Sequence, residues 1–116
     1  MTSIKEHIQN DIRVAEDISN EIIIQSTEDG LELMGNMYYQ GFDKIIINQK
    51  NITSDFFDLK NRMAGDILQK FSNYRMGLAI IGDFTDIPSK SLKDFIYESN
   101  KGKHVNFLPS VNEALK

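Results

Sequence analysis

Cysteine is absent, so the chain has no disulfide framework, no thiolate zinc site and no thiol nucleophile. A basic excess is absent too. Lys and Arg number 13 against 17 Asp and Glu, a net charge of -4. That balance argues against a nucleic-acid partner, which usually needs a basic face. Long apolar runs are missing. The longest uninterrupted aliphatic stretch, Leu78-Ala79-Ile80-Ile81, is far too short to cross a bilayer, so no membrane partner is expected. Met1 to His7 holds no apolar signal region. Neither GxGxxG nor GxxxxGK[ST] occurs, which leaves nucleotide binding without a motif. Proline occurs only as Pro88 and Pro109, both in expected connections. These absences describe a cytosolic, bacterial-type protein.

What is present suits one α/β domain over residues 1–116, with 41% hydrophobic and 26% charged residues. Residues 2–8 and 12–18 read as two short strands around a Gln9-Asn10-Asp11 turn, antiparallel because the turn is short. Glu21 to Gln25 is a third apolar run, a strand extension or a separate short strand. Ser26 and Asp29 have capping-box spacing, and Leu31, Met34, Met37 and Tyr38 predict a buried helical stripe ending at Gly41. Lys44 to Gln49 is an isoleucine-rich strand. Phe56, Leu59, Met63, Ile67 and Phe71 then predict the longest helix, about 54–74. Leu78 to Gly82 is a strand, Ser89 to Lys101 a helix with Ser91 and Asp94 as its cap, and Val105 to Leu108 a strand. Ser110 with Glu113 caps a terminal helix over 111–115. Gly35 and Gly65 interrupt helical stripes and imply close approach to a neighbouring element. The alternation predicts a mainly parallel sheet of about five strands, with an antiparallel N-terminal pair and three to four helices. Continuous apolar inner strands imply that both sheet faces are covered.

In open parallel sheets, ligands gather beyond the carboxyl ends of the strands. Here that edge collects Asn48 to Asp55, Gly82 to Ser91 and Leu108 to Ser110. Its candidate binding residues are Asn48, Lys50, Thr53, Ser54, Asp55, Phe57, Asp83, Ser89 and Ser91. Thr53 and Ser54 have a structural role open to them as helix caps. They have a sharper one as regulatory hydroxyls, because a phosphate at a helix start meets free amides, although Asp55 and Asp58 would repel it. Phe56 should lead the core stripe and leave Phe57 on a flank. Asp55, Asp83 and Asp86 offer oxygen ligands to a hard cation, but scattered aspartates typically form turns, and no metal or cofactor is expected. His7 and His104 read as solvated strand-end residues.

Several segments together carry a family resemblance. They are Tyr38-Tyr39-Gln40-Gly41-Phe42-Asp43-Lys44-Ile45-Ile46, Thr53-Ser54-Asp55-Phe56-Phe57-Asp58-Leu59-Lys60, Ala64-Gly65-Asp66-Ile67-Leu68-Gln69-Lys70-Phe71, Leu78 to Phe84, and Ser89 to Gly102. The chain resembles a bacterial family, domain-of-unknown-function family 4180, over most of residues 12–115. That family implies no reaction. More distantly, the order of elements and the lead of Gln49 to Ser54 into a helix resemble the STAS domains of anti-sigma factor antagonists. The STAS likeness implies most helices on one side of the sheet and a regulatory Ser or Thr at the helix start. This chain has Thr53-Ser54-Asp55-Phe56 there and lacks the glycine of the STAS pattern.

The expected function is a non-enzymatic regulatory or protein-interaction domain. It would bind a protein partner, and in the same way a second copy as a homodimer, through the edge bearing Lys50 to Phe57 and Gly82 to Ser91. The alternative is a small-molecule binder or enzyme using Asp83, Asp55, Ser54 and Lys50 in a pocket, with Lys50 or Lys90 holding an anionic ligand and a carboxylate acting as base.

Overall fold

The computed structural model describes residues 3–116, so the predicted start of the first strand at Thr2 lies outside the described residues. Ile4–Gln9 (β1) and Ile12–Asp17 (β2) pair antiparallel, with Gln9 opposite Ile12. The turn is therefore only Asn10-Asp11, with φ of 48° and 71°. Both residue types tolerate the left-handed region that a two-residue hairpin needs. Lys44–Asn48 (β3), Gly77–Ile81 (β4) and Val105–Leu108 (β5) add in parallel, in the order β1-β2-β3-β4-β5. The mixed α/β architecture is the one expected. The apolar run at 21–25 makes no strand; only Ile24 bridges to Ile52.

Thr27–Tyr39 (α1) is capped as anticipated, Ser26 Oγ accepting from the Asp29 amide at 3.1 Å. Its buried face is Gly30, Leu33, Met34 and Met37, while Leu31 is half-buried and Tyr38 is 52% exposed. The stripe is rotated because Gly30 lies against Ile67; a Cβ on Gly30 would sit 2.5 Å from Ile67 Cδ1. Gly30 thus makes the close approach expected of Gly35 and Gly65, which have nothing within 4 Å.

The long helix expected over 54–74 is not continuous. Two 3-10 turns, Ser54–Phe57 and Leu59–Asn61, precede Met63–Asn73 (α2). Side chains restart the chain each time. Thr53 Oγ1 accepts from the Asp55 amide (3.4 Å), Asp58 Oδ1 from Lys60 (3.2 Å) and Asn61 Oδ1 from Met63 (2.9 Å). Such local bonds compete with α-helical ones. Arg62, at φ 66°, is the break before α2.

Lys90–Lys101 (α3) is capped by Ser89, whose Oγ accepts from Leu92 at 3.2 Å, not by Ser91; Asp94 pairs with Lys90 instead. Val111–Ala114 (α4) is capped by Ser110 as expected. The core divides by sheet face. Ala15, Ile45, Ile47, Leu78, Ile80, Val105 and Phe107 pack with side chains of α1, α2 and α3. Val14, Ile46, Ala79 and Ile81 pack with Ala114 of α4. Both faces are covered, and the three longer helices share one of them. Lys44 Nζ donates to the Ala114 carbonyl (2.6 Å) and Gln9 Nε2 to that of Lys116 (2.7 Å), which fastens α4 to the second face.

Candidate functional site

Asn48 pairs with Ile81, and Ile81 with Leu108, so three parallel strands end side by side. Asn48, Asp83 and Pro109 therefore leave the sheet along one rim. That rim divides into a rigid half and a half with depressions.

The rigid half is built on Asn51, which is wholly buried. Its Oδ1 accepts from the Asn48 amide (3.2 Å), and its Nδ2 donates to the carbonyls of Ser19 (3.0 Å) and Glu21 (2.8 Å). Its carbonyl accepts from the Ile23 amide at 2.7 Å and that of Ile24 at 3.1 Å. The Thr53 amide donates to Ile24 O (2.8 Å), and Lys50 Nζ reaches Asn20 Oδ1 (3.3 Å). Asn48, Lys50 and Thr53 thus tie residues 19–24 to the end of β3. The sequence places Asn51 in the polar stretch of the rim but not its burial; an asparagine in a polar loop carries no local mark of it. Ser54 and Asp55 are exposed on the first 3-10 turn. The long helix that would have offered a phosphate its aligned amides does not begin there.

The other half holds two depressions. Phe57, Asp58, Lys60, Ser89 and Ser91 line one of about 400 Å³. Asp83, Phe84, Thr85, Asn100, Phe107 and Pro109 line one of about 480 Å³, between the ends of β4 and β5. Phe84 stands between them, its ring centroid 6.3 Å from Phe57 and 5.3 Å from Phe107. Phe57 and Phe84 are half-buried, so the rim carries an aromatic ridge with a hollow on each side. Of the predicted residues, the structure gathers Phe57, Ser89 and Ser91 at one hollow and Asp83 at the next. Phe84 and Asn100 were not anticipated. Phe84 was legible as an aromatic just past a strand end, whereas Asn100 lies at the far end of α3 and gave no signal.

Two polar side chains of the larger hollow already bond within the protein, Asp83 through one carboxylate oxygen and Asn100 through both ends of its amide. Asp83 Oδ1 accepts from Thr85 Oγ1 (2.6 Å) and from the Thr85 amide (3.1 Å). These bonds, the hydroxyl first, hold the Asp83 carboxyl below its ordinary range. A carboxylate stabilised as the anion is a poor general base near neutral pH, where a catalytic pKa is best placed. Asn100 spends both ends of its amide on the backbone of Phe107. Among the described residues, no group of three or more His, Asp or Glu side chains comes together to hold a metal. His7 lies on β1, far from the rim, with Nε2 2.7 Å from Glu16 Oε1, so it is a paired residue and not a merely solvated one. Among the described residues, no helix is long and apolar enough to cross a membrane.

The family model described as a domain of unknown function, DUF4180, matches residues 9–116. The chain belongs to the DUF4180 family. No curated protein matches it. Membership covers the whole parallel sheet and its helices and brings no reaction with it, so the chemistry of this DUF4180 domain has to be argued from the rim.

Proposed function

We infer that this DUF4180 domain is a non-catalytic regulatory module of the bacterial cytoplasm, which binds a protein partner along the strand-exit rim. The observation that carries this reading is the ridge of Phe57 and Phe84 with a hollow on each side. Half-buried aromatics flanked by polar loops are the composition of protein-binding surfaces, where a few such side chains supply most of the affinity. Asn100, with both ends of its amide bonded to the Phe107 backbone, offers no free group for chemistry, which supports binding over catalysis.

The test is affinity capture from a lysate of the source organism, then titration of the purified partner against wild type and variants. Phe84→Ala and Phe57→Ala should each weaken binding by about 2 kcal/mol, roughly thirtyfold, as truncated anchor residues do. Affinity unchanged in both variants would overturn the reading. One observation favours a second reading, a small-molecule ligand: about 480 Å³ falls within the usual range for ligand pockets. Native mass spectrometry of the purified protein would then show a bound mass that Phe84→Ala removes.

A further inference from the structure

The two edges of the sheet are finished differently. At the β5 edge, His104 O and Leu108 O accept from Leu78 and Gly82, so these residues face β4. By the twofold alternation of a strand, Val105 and Phe107 turn their backbone groups outward. Side chains of α3 take them up. Ser99 Oγ donates to Val105 O (2.7 Å), Asn100 Nδ2 donates to Phe107 O (3.1 Å), and the Phe107 amide donates to Asn100 Oδ1 (2.7 Å). That edge is closed by the domain itself.

Among the described residues, the β1 edge has no such cover. The Ile18 amide donates to Ser3 O (2.9 Å), so Ser3 faces β2, and with it Lys5, His7 and Gln9. The N–H and C=O groups of Ile4, Glu6 and Ile8 point away from the sheet. Among the described residues, none bonds to them. The Ile8 side chain is 66% exposed. A bare edge is a template for another strand, and proteins usually blunt it. Charged residues are the common device, yet here the Glu6 carboxylate and the His7 ring are already engaged within the domain. Glu6 accepts from Arg13 Nε (2.9 Å) and Nη2 (3.1 Å), and His7 is bonded to Glu16 (2.7 Å).

We propose that the β1 edge pairs antiparallel with β1 of a second copy of this chain, joining two sheets into one continuous sheet across a twofold axis. The sequence of β1 suits this pairing. Residues opposite each other must lie on the same face, and only outward-facing residues can exchange bonds. The register that pairs all three sets Ile4 opposite Ile8 of the second copy, Glu6 opposite Glu6, and Ile8 opposite Ile4. It covers the exposed Ile8 with an isoleucine on each side of the axis. On the other face, Lys5 stands opposite His7 of the second copy, whose imidazole is held on the Glu16 carboxylate, so an ammonium meets a histidine–carboxylate pair. The two Glu6 carboxylates meet at the axis, each forked by its own Arg13. Arg13 is anchored in turn by the Gln40 carbonyl (2.7 Å) and the Phe42 ring (4.4 Å). This surface is separate from the rim, so the two proposals stand or fall independently.

Sedimentation equilibrium across a concentration series tests it. An interface of one strand belongs to the weak class. The wild-type mass should therefore climb with concentration from 13.3 kDa towards twice that value. Ile8→Pro deletes an outward N–H that takes no part in the β1–β2 ladder, and proline is tolerated on an edge strand. It should remain monomeric with an unchanged circular dichroism spectrum. Ile8→Lys should weaken association at least tenfold, and Phe84→Ala should leave it untouched. In the wild type, the Glu6 and Ile8 amides should exchange slowly at high concentration and rapidly on dilution. If Ile8→Pro fails to fold, Ile8→Lys and this exchange measurement decide. A wild-type mass fixed at the monomer value overturns the proposal, as does a dimer whose Glu6 and Ile8 amides exchange freely. Either outcome would leave the edge to a strand from a different protein.

Discussion

The two faces of the sheet are buried to a similar degree by unlike means. One lies under three helices and shares a core with Ile67 and Phe71, both fully buried. The other is sealed by the four residues of α4, held down by Lys44 and Gln9 bonding to carbonyls at its end. Ile45, Ile46 and Ile47 look alike in sequence, yet the first and third belong to a thick core and the middle one to a thin lid. Complete burial therefore says little about how firmly a residue is covered. A short segment fastened by a few polar bonds opens at much lower free energy than a layer of packed helices.

The largest expected effect lies on the thick face. Phe71→Ala should cost about 3–5 kcal/mol in chemical denaturation, because the packed layer can collapse only partly into the space left. A loss below about 1 kcal/mol would mean that the two faces are equally soft. On the thin face, Ala114→Asp puts a charge at a site 2% exposed. There α4 should lift away, limiting the loss to about 1–3 kcal/mol. Amide exchange would show residues 111–116 opening while α2 stays protected. Gly30→Ala probes the helical layer more gently. The added methyl meets Ile67 Cδ1 and Cγ1 at 2.5 and 2.8 Å, and Ile67 has no room to turn, being fully buried. Overpacking of about 1–3 kcal/mol should outweigh the gain of up to about 1 kcal/mol in helix propensity. Gly35→Ala, with open space around it, should instead raise stability by about 0.5–1 kcal/mol. Opposite signs for the two glycines in thermal melts are the expected outcome.

The smallest effect concerns Lys44, whose burial lowers its pKa. Below the depressed folded value the ammonium is charged in both states, and its desolvation counts against the native one. Between that value and the ordinary 10.5, the unfolded chain binds more protons, so stability attributable to Lys44 rises with pH across this window. Lys44→Met should lack that rise. Parallel stability–pH curves for variant and wild type would show that Lys44 is not desolvated under α4.

The five strands and their mainly parallel pairing were legible because buried parallel strands write themselves as apolar runs between helical periods, whereas the apolar run at 21–25 gave only a bridge. The helix over 54–74 misled for a definite reason. The spacing of three from Phe56 to Leu59 satisfies 3-10 turns as readily as an α-helix, and the deciding groups were the side chains of Thr53, Asp58 and Asn61. The stripe of α1 was misplaced because nothing in the sequence tells Gly30 from Gly35; only Ile67, far along the chain, does. The rim followed from the parallel alternation of strands and helices alone. Its hollows did not, since they depend on where Phe84, Asn100 and Pro109 meet in space.

Asn51 gives the rim a property of its own. By holding residues 19–24 through side chain and carbonyl together, it turns what would be a wandering connection between β2 and α1 into part of the frame. A molecule that reached from the aromatic ridge onto that half of the rim would meet a mould already set. Little of its affinity would be consumed in freezing the host, and discrimination between candidates would come from fit more than from adaptation.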